Sequence, residues 1–158
     1  MIGTLKGLAV TIKTAFKKPV TVQYPEEHMP LAPRYAGFPL LLWDDKTEEP
    51  ACTGCQVCMR YCPTDCITVT MKDNPKFKDG TSKRKKIVEN FTLRMERCIL
   101  CSICVEVCNF EAITMSDLHE EANMSRGPLI MTTDYMLKAG REYQEKKGIV
   151  VGTESSDE

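Results

Sequence analysis

The chain has 158 residues, 42% of them hydrophobic, with a formal net charge of −1 and nine cysteines. Such a length suits one domain with extensions, and so even a charge balance names no partner by itself. No run of about 18 apolar residues occurs, so a membrane-spanning helix is not expected.

Residues 1–18 read as an amphipathic helix, with Ile2, Leu5, Leu8, Ala9, Ile12 and Phe16 recurring at helical spacing. Lys6, Lys13, Lys17 and Lys18 supply its charge, no acid precedes Glu26, and the lysines break the apolar run too often for a signal-peptide core. Pro19 is expected to end the helix. A basic amphipathic helix either lies on an anionic membrane surface or docks its apolar face on another protein. Residues 19–42 form a Pro-rich stretch that reads as an extended arm, with a short strand expected at Val20-Thr21-Val22. Leu31, Tyr35, Phe38, Leu40, Leu41 and Leu42 make this arm too apolar for an exposed linker.

Residues 43–117 hold the motif that organises the chain. Cys52, Cys55, Cys58 and Cys62 follow the spacing C-x2-C-x2-C-x3-C, and Cys98, Cys101, Cys104 and Cys108 repeat it 46 positions later. This is the ligand run of bacterial-type proteins that hold two [4Fe–4S] clusters. A cubane takes four thiolates, one per iron, and three cysteines spaced by two residues let a tight loop wrap three corners. The fourth cysteine stands four residues beyond the third. On a helix the pair shares one face, about 6 Å apart along the axis, so one short helix can touch two clusters. In such runs the fourth cysteine serves the other cluster. Cluster one is therefore assigned to Cys52, Cys55, Cys58 and Cys108, and cluster two to Cys98, Cys101, Cys104 and Cys62. Zinc fits poorly, because paired C-x2-C units supply four ligands and would leave half of these cysteines over. So many thiols without a secretory signal argue for a reducing, intracellular setting rather than disulfides. The ninth cysteine, Cys66, corresponds to Ala112 in the second copy and reads as a small packed residue.

Around the cysteine runs, Ile67-Thr68-Val69-Thr70-Met71 and Phe91-Thr92-Leu93-Arg94-Met95 alternate like strands, and Ile113-Thr114-Met115 repeats the first in position. Each repeat then gives a strand, a ligand loop, a short helix and another strand, related by a pseudo-two-fold axis. The expected fold class is α+β, a ferredoxin-like core. Residues 72–89 interrupt the repeat as a basic hairpin insertion with turns at Asn74-Pro75 and Asp79-Gly80. Its lysines read as a solvated tip or a patch for an acidic partner. Phe77 stands alone there, so no nucleic-acid binding is expected. Residues 118–158 read as a C-terminal extension with a short helix near Asp134-Tyr135-Met136-Leu137 and a frayed acidic tail from Gly148. His28 and His119 read as surface residues, since the thiol count is already complete. Four thiolates per cluster leave no open coordination site, and no nucleotide loop or nucleophile–base pair stands out. That pattern fits electron transfer and no catalytic site of the chain's own. Backbone N–H groups of residues 53–58 and 99–104 are the expected donors to sulfur, and Arg60 and Arg97 read either as field-setting charges or as plain surface.

Further residues narrow the class. Pro19-Val20-Thr21-Val22-Gln23-Tyr24-Pro25-Glu26-Glu27 and Pro33-Arg34-Tyr35-Ala36-Gly37 resemble two stretches of subunit I of the NADH:quinone oxidoreductases, respiratory complex I. Glu96-Arg97-Cys98-Ile99, Cys104-Val105-Glu106, His119-Glu120 and Ser125-Arg126 match the same family, so the resemblance covers about residues 5–140. It implies an electron-relay subunit that passes electrons through two [4Fe–4S] clusters toward quinone in a proton-translocating complex. Its implied partners are other subunits of a multi-subunit respiratory complex, with quinone held mainly by neighbours. The implied place is peripheral, on the cytoplasmic side of the cell membrane. The alternative is the homologous subunit of a membrane-bound hydrogenase or ferredoxin-dependent complex, and a free soluble carrier is disfavoured by the arm and the basic helix. Asn109 stands where the family mostly has Pro, Ala51 precedes the first cysteine where a charge is common, and the 72–89 insertion is longer than usual.

Overall fold

The computed structural model describes residues 2–151 and divides into two units, Met1–Pro33 and Arg34–Glu158. In the first, helix α1 spans Ile2–Ala15 and buries none of its residues. It stops short of residue 18. The N–H that would have bonded the Ala15 carbonyl belongs to position 19, and proline has none; the last turn closes instead through Lys17 N–H on Thr14 O at 3.1 Å. The strand expected at Val20–Val22 does not form. No second strand is paired with it, and the Gln23 amide turns back onto Thr21 O at 3.0 Å.

The second unit is built on two antiparallel pairings. Strands β1 (Pro39–Leu41), β2 (Trp43–Asp44) and β3 (Glu49–Pro50) precede the first cysteine loop and helix α2 (Val57–Tyr61). Strand β4 (Ile67–Asp73), helix α3 (Pro75–Lys78) and strand β5 (Lys86–Arg94) lead into the second loop and helix α4 (Ile103–Glu106), then strand β6 (Ile113–Met115). β1 pairs with β6, Leu40 opposite Thr114, while β4 pairs with β5, Ile67 opposite Leu93 and Val69 opposite Phe91. The strand before each cysteine run thus lies beside the strand that follows the other run. This two-fold exchange makes the ferredoxin-like α+β core. Leu41, Ile67, Val69, Val88, Phe91, Leu93 and Ile113 fill its centre, with six of the eight run cysteines packed around them.

The two loops repeat even in their backbone strain. Positive φ falls at Gly54 and Leu100 (73° and 55°), at Gln56 and Ser102 (65° each) and at Asp65 and Glu111 (50° and 48°), each pair 46 residues apart. Gly54 is glycine for a second reason: a Cβ there would sit 2.8 Å from Met71 Cβ.

The insertion is a hairpin continuing β4 and β5, and a buried polar knot fastens its root. Arg84 reaches Asp44 and Glu49, both at 2.8 Å, and Glu49 also accepts from Ser82 Oγ at 2.5 Å and Asn74 Nδ2 at 2.8 Å. Lys76 Nζ donates to Thr47 O and Glu48 O at 2.6 and 2.9 Å. Part of the insertion's basic charge is therefore engaged internally and holds the β2–β3 hairpin.

The C-terminal helix is longer than expected. After strand β7 (Ile130–Met131), which extends the sheet along β5, helix α5 runs Thr133–Lys147. Few apolar residues mark its packed face. Gly140 lets the helix touch β1, since a Cβ there would stand 1.9 Å from Leu41 O. Gln144 accepts from Trp43 N at 2.8 Å and donates to Trp43 O at 3.0 Å, imitating a neighbouring strand. Gly148, at φ 67°, caps the helix. The chain does not fray there: Ile149 and Val151 pack on Leu42, Ala51 and Ala112. The acidic residues 153–158 lie outside the described residues.

Candidate cluster sites

Each cysteine run begins as a loop whose left-handed residues turn successive side chains inward, then enters a helix of one turn. Cys58 lies within α2, and Cys62 caps its far end in extended conformation (φ −70°, ψ 116°). The two thiols therefore leave opposite ends of one short helix. Around the core they sort into two cavities. One is lined by Cys52, Cys55, Cys58 and Cys108 among Leu41, Val69, Phe91 and Ile113. The other is lined by Cys62, Cys98, Cys101 and Cys104 among Pro39, Ile67, Leu93 and Met115, with Cys66 beside them. Cys101 is exposed, whereas the other seven run cysteines are half-buried.

The sulfurs receive backbone hydrogen bonds in matched pairs. Gly54 N–H reaches Cys52 Sγ at 3.4 Å, and Leu100 N–H does the same for Cys98. Cys66 N–H reaches Cys62 Sγ at 3.5 Å, and Ala112 N–H reaches Cys108 Sγ at 3.4 Å. The first pair lies within the residues expected to donate. The second pair lies four residues beyond each fourth cysteine, and the sequence signals it only through the repeat itself.

Electrostatics describe what these cavities want. Burial, then the neighbouring thiols, push Cys58 up to about 12, and burial pushes Cys52 and Cys104 up to about 11. Cys98 moves the other way, lowered by a hydrogen bond from Cys66 that outweighs burial. Several thiolates cannot share an apolar cavity unless cations sit among them, and a coordinating metal deprotonates a thiol outright. The thiols ring each cavity rather than meet at one point; among the described residues no three His, Cys, Asp or Glu side chains converge on a single ion. A polynuclear iron–sulfur group has the shape and charge this arrangement accepts. Thr53 supplies an independent sign. Its hydroxyl is buried at the wall of the first cavity and has no hydrogen-bond partner among the described residues, as expected of a group facing a cluster sulfur.

The other residues singled out from sequence take ordinary places. Arg60 and Arg97 are exposed. His28 stacks edge-on against Tyr24, and His119 lies against Tyr35 with Nδ1 2.8 Å from Asp117 O. Cys66 is the residue that sequence reasoning undervalued. It is buried as a packed small residue should be, at 4% exposure, yet its Sγ lies 3.3 Å from Cys62 Sγ.

Comparison with known proteins agrees with this chemistry. Residues 51–112 match the 4Fe-4S dicluster domain family. Over 140 residues the chain is 32% identical to NADH-quinone oxidoreductase subunit I 2 of Symbiobacterium thermophilum, covering 88% of this chain and 56% of that protein. It is 32% identical over 134 residues to the protein of that name from Geobacter metallireducens, covering 85% and 95% of the two chains. The Streptomyces coelicolor protein of that name is 35% identical over 123 residues, covering 76% and 59%. Among solved structures, a chain of the membrane-bound sulfane sulfur reductase, an archaeal respiratory membrane complex, aligns with a TM-score of 0.46 at 28% identity, over 74% of this chain and 54% of that one.

Proposed function

The chain belongs to the family of NADH-quinone oxidoreductase subunit I, and from that premise we propose that it relays electrons through two [4Fe–4S] clusters toward quinone in a membrane-associated, proton-translocating complex. Cys52, Cys55, Cys58 and Cys108 hold the first cluster, and Cys98, Cys101, Cys104 and Cys62 hold the second. The observation that carries this reading is the sorting of the thiols. Each cavity is lined by three cysteines of one run and the fourth cysteine of the other. Such clusters, when bound, accept and release one electron each.

The chain's own residues do the rest. Four thiolates per site leave no position for a substrate. Leu41, Val69, Phe91 and Ile113 shelter the first site from water, while the paired N–H donors on sulfur favour the reduced, more negative state. Cys58 lies in α2 and Cys62 directly follows its last residue, so one short segment serves both sites and the two clusters stand close enough to exchange electrons directly. The exposed apolar residues of α1, Ile2, Leu5, Leu8 and Ile12, seat on other subunits of the complex at the membrane surface. No helix among the described residues is long and apolar enough to cross a membrane, in keeping with a peripheral subunit, which we place on the cytoplasmic side. Neighbouring subunits hold the quinone.

Purification from gently solubilised membranes tests the reading. The chain is expected to travel in a large complex with flavin and NADH:quinone activity, and to carry about eight iron and eight sulfide, four of each per cluster. Travelling instead with nickel and hydrogen-evolving activity would assign the clusters to a different donor and overturn the NADH-linked role.

A further inference from the structure

The two sites are built on one plan but differ around the fourth cysteine. Among the described residues Cys108, in the first site, receives one hydrogen bond, from Ala112 N–H at 3.4 Å. Cys62, in the second, receives the equivalent bond from Cys66 N–H at 3.5 Å and has two further polar neighbours, Thr64 Oγ1 at 3.5 Å and Cys66 Sγ at 3.3 Å. At the matching positions of the first site stand Phe110 and Ala112, which offer no side-chain donor. Cys66 is also buried among Ile67, Leu93 and Met95 in the core and faces the same cavity as the four thiols.

A ligating cysteine is a thiolate and has no proton to give. In the Cys62–Cys66 contact the donor must therefore be Cys66. Its single proton is the one available to Cys62 Sγ, the corner of the second site that comes from the first cysteine run.

From this asymmetry we infer that Cys66 is a positioning residue for the second cluster, whose buried S–H donates to the sulfur of Cys62 and raises that cluster's reduction potential. The inference rests on the assignment of Cys62, Cys98, Cys101 and Cys104 to one cluster. Reduction adds negative charge that spreads onto the ligand sulfurs, so a donor aimed at them stabilises the reduced state more than the oxidised one. Ala112 gives the first cluster no such donor. The relay thereby gains a difference in potential between two otherwise matched sites.

The test is a redox titration of the full chain, with both clusters assembled, followed by electron paramagnetic resonance. The wild type is measured first. Fewer than two clusters would overturn the assignment beneath this inference, and the inference with it. With two clusters present, Cys66→Ala is expected to lower the midpoint of the cluster held by Cys62 and leave the other where it was. Cys66→Ser, which keeps a donor, should retain most of the wild-type value. An unchanged midpoint in Cys66→Ala, or an equal fall in both clusters, would overturn the role of Cys66 while leaving the two-cluster reading intact. Should Cys66→Ala fail to hold its cluster, Ala112→Cys decides. It sets a thiol beside Cys108 and is expected to raise the first cluster's midpoint, and no rise there would overturn the inference.

Discussion

Replacing Arg84 with methionine keeps most of the side chain's volume and removes its charge. Two carboxylates then lose their counter-ion. Asp44 and Glu49 have side chains only 5% and 2% exposed, and Arg84 itself is 20% exposed, with both ion pairs at 2.8 Å. Breaking a buried pair by removing one partner costs about 3–5 kcal/mol, because the remaining charge stays desolvated. Here Ser82 and Asn74 still donate to Glu49 and the Lys46 N–H to Asp44, so the lower end, about 3 kcal/mol, is the reasoned figure. Cluster release on unfolding makes the transition irreversible, so a rate is the proper readout. If the knot is open in the transition state, about 3 kcal/mol multiplies the unfolding rate roughly 100-fold. The assay is the anaerobic loss of cluster absorbance in urea, compared with the wild type. Arg84→Met combined with Asp44→Asn and Glu49→Gln should recover much of the loss, since it removes the stranded charges. A rise of less than about threefold in Arg84→Met would refute the reasoning and make the knot an ordinary solvent-screened surface pair.

The same knot sets a pH dependence. Burial pushes the carboxyls of Asp44 and Glu49 up, but hydrogen bonds outweigh it, from Arg84, Lys46 and Thr47 on Asp44 and from Ser82, Asn74 and Arg84 on Glu49, so both lie below the usual carboxylate range. Depressed folded values mean stability that is present above the unfolded pKa of about 4 and lost as pH falls below it. Glu49→Gln should therefore flatten the acid arm of an unfolding-rate profile, and an arm of unchanged steepness would count against the assignment. Gly140→Ala sets a Cβ against Leu41 O, so α5 must shift off β1; at a cost of about 1–3 kcal/mol the anaerobic unfolding rate in urea is expected to rise roughly 5- to 100-fold, and an unchanged rate would mean that the helix is not so closely docked. Thr53→Val removes a buried hydroxyl that has no hydrogen-bond partner among the described residues. It should leave folding unchanged and lower the midpoint of the first cluster in a redox titration, while an unmoved midpoint would show that the hydroxyl faces no cluster sulfur.

The cysteine spacing was legible because ligand geometry is local: three thiols in a seven-residue loop and a fourth one helical turn on are set by chain connectivity. β4, the last part of β5 and β6 were legible by alternation and the repeat indicated a two-fold axis, but β1, whose three residues lie in the Pro-rich arm, gave no strand signal. What escaped the sequence is held by residues that carry no hydrophobic signal. α5 docks through Gly140 and Gln144, neither of which marks an apolar stripe, so only its Asp134–Leu137 turn showed. The β2–β3 hairpin of two-residue strands is fixed by Arg84 from 35 to 40 positions away. Val20–Val22 had strand-forming residues without a partner strand, and propensity alone does not make a ladder. Cys66 was read correctly as packed, but that a packed thiol also faces the second site follows only from where Cys62 leaves α2.

The measurement that bears most directly on the central claim is the paramagnetic resonance of reduced Cys62→Ser beside that of Cys52→Ser and Cys98→Ser. If electrons pass through two clusters with exchanged fourth ligands, Cys62→Ser should damage the same signal as Cys98→Ser and spare the one lost in Cys52→Ser. Loss of the Cys52 signal in Cys62→Ser, with the Cys98 signal intact, would contradict the account.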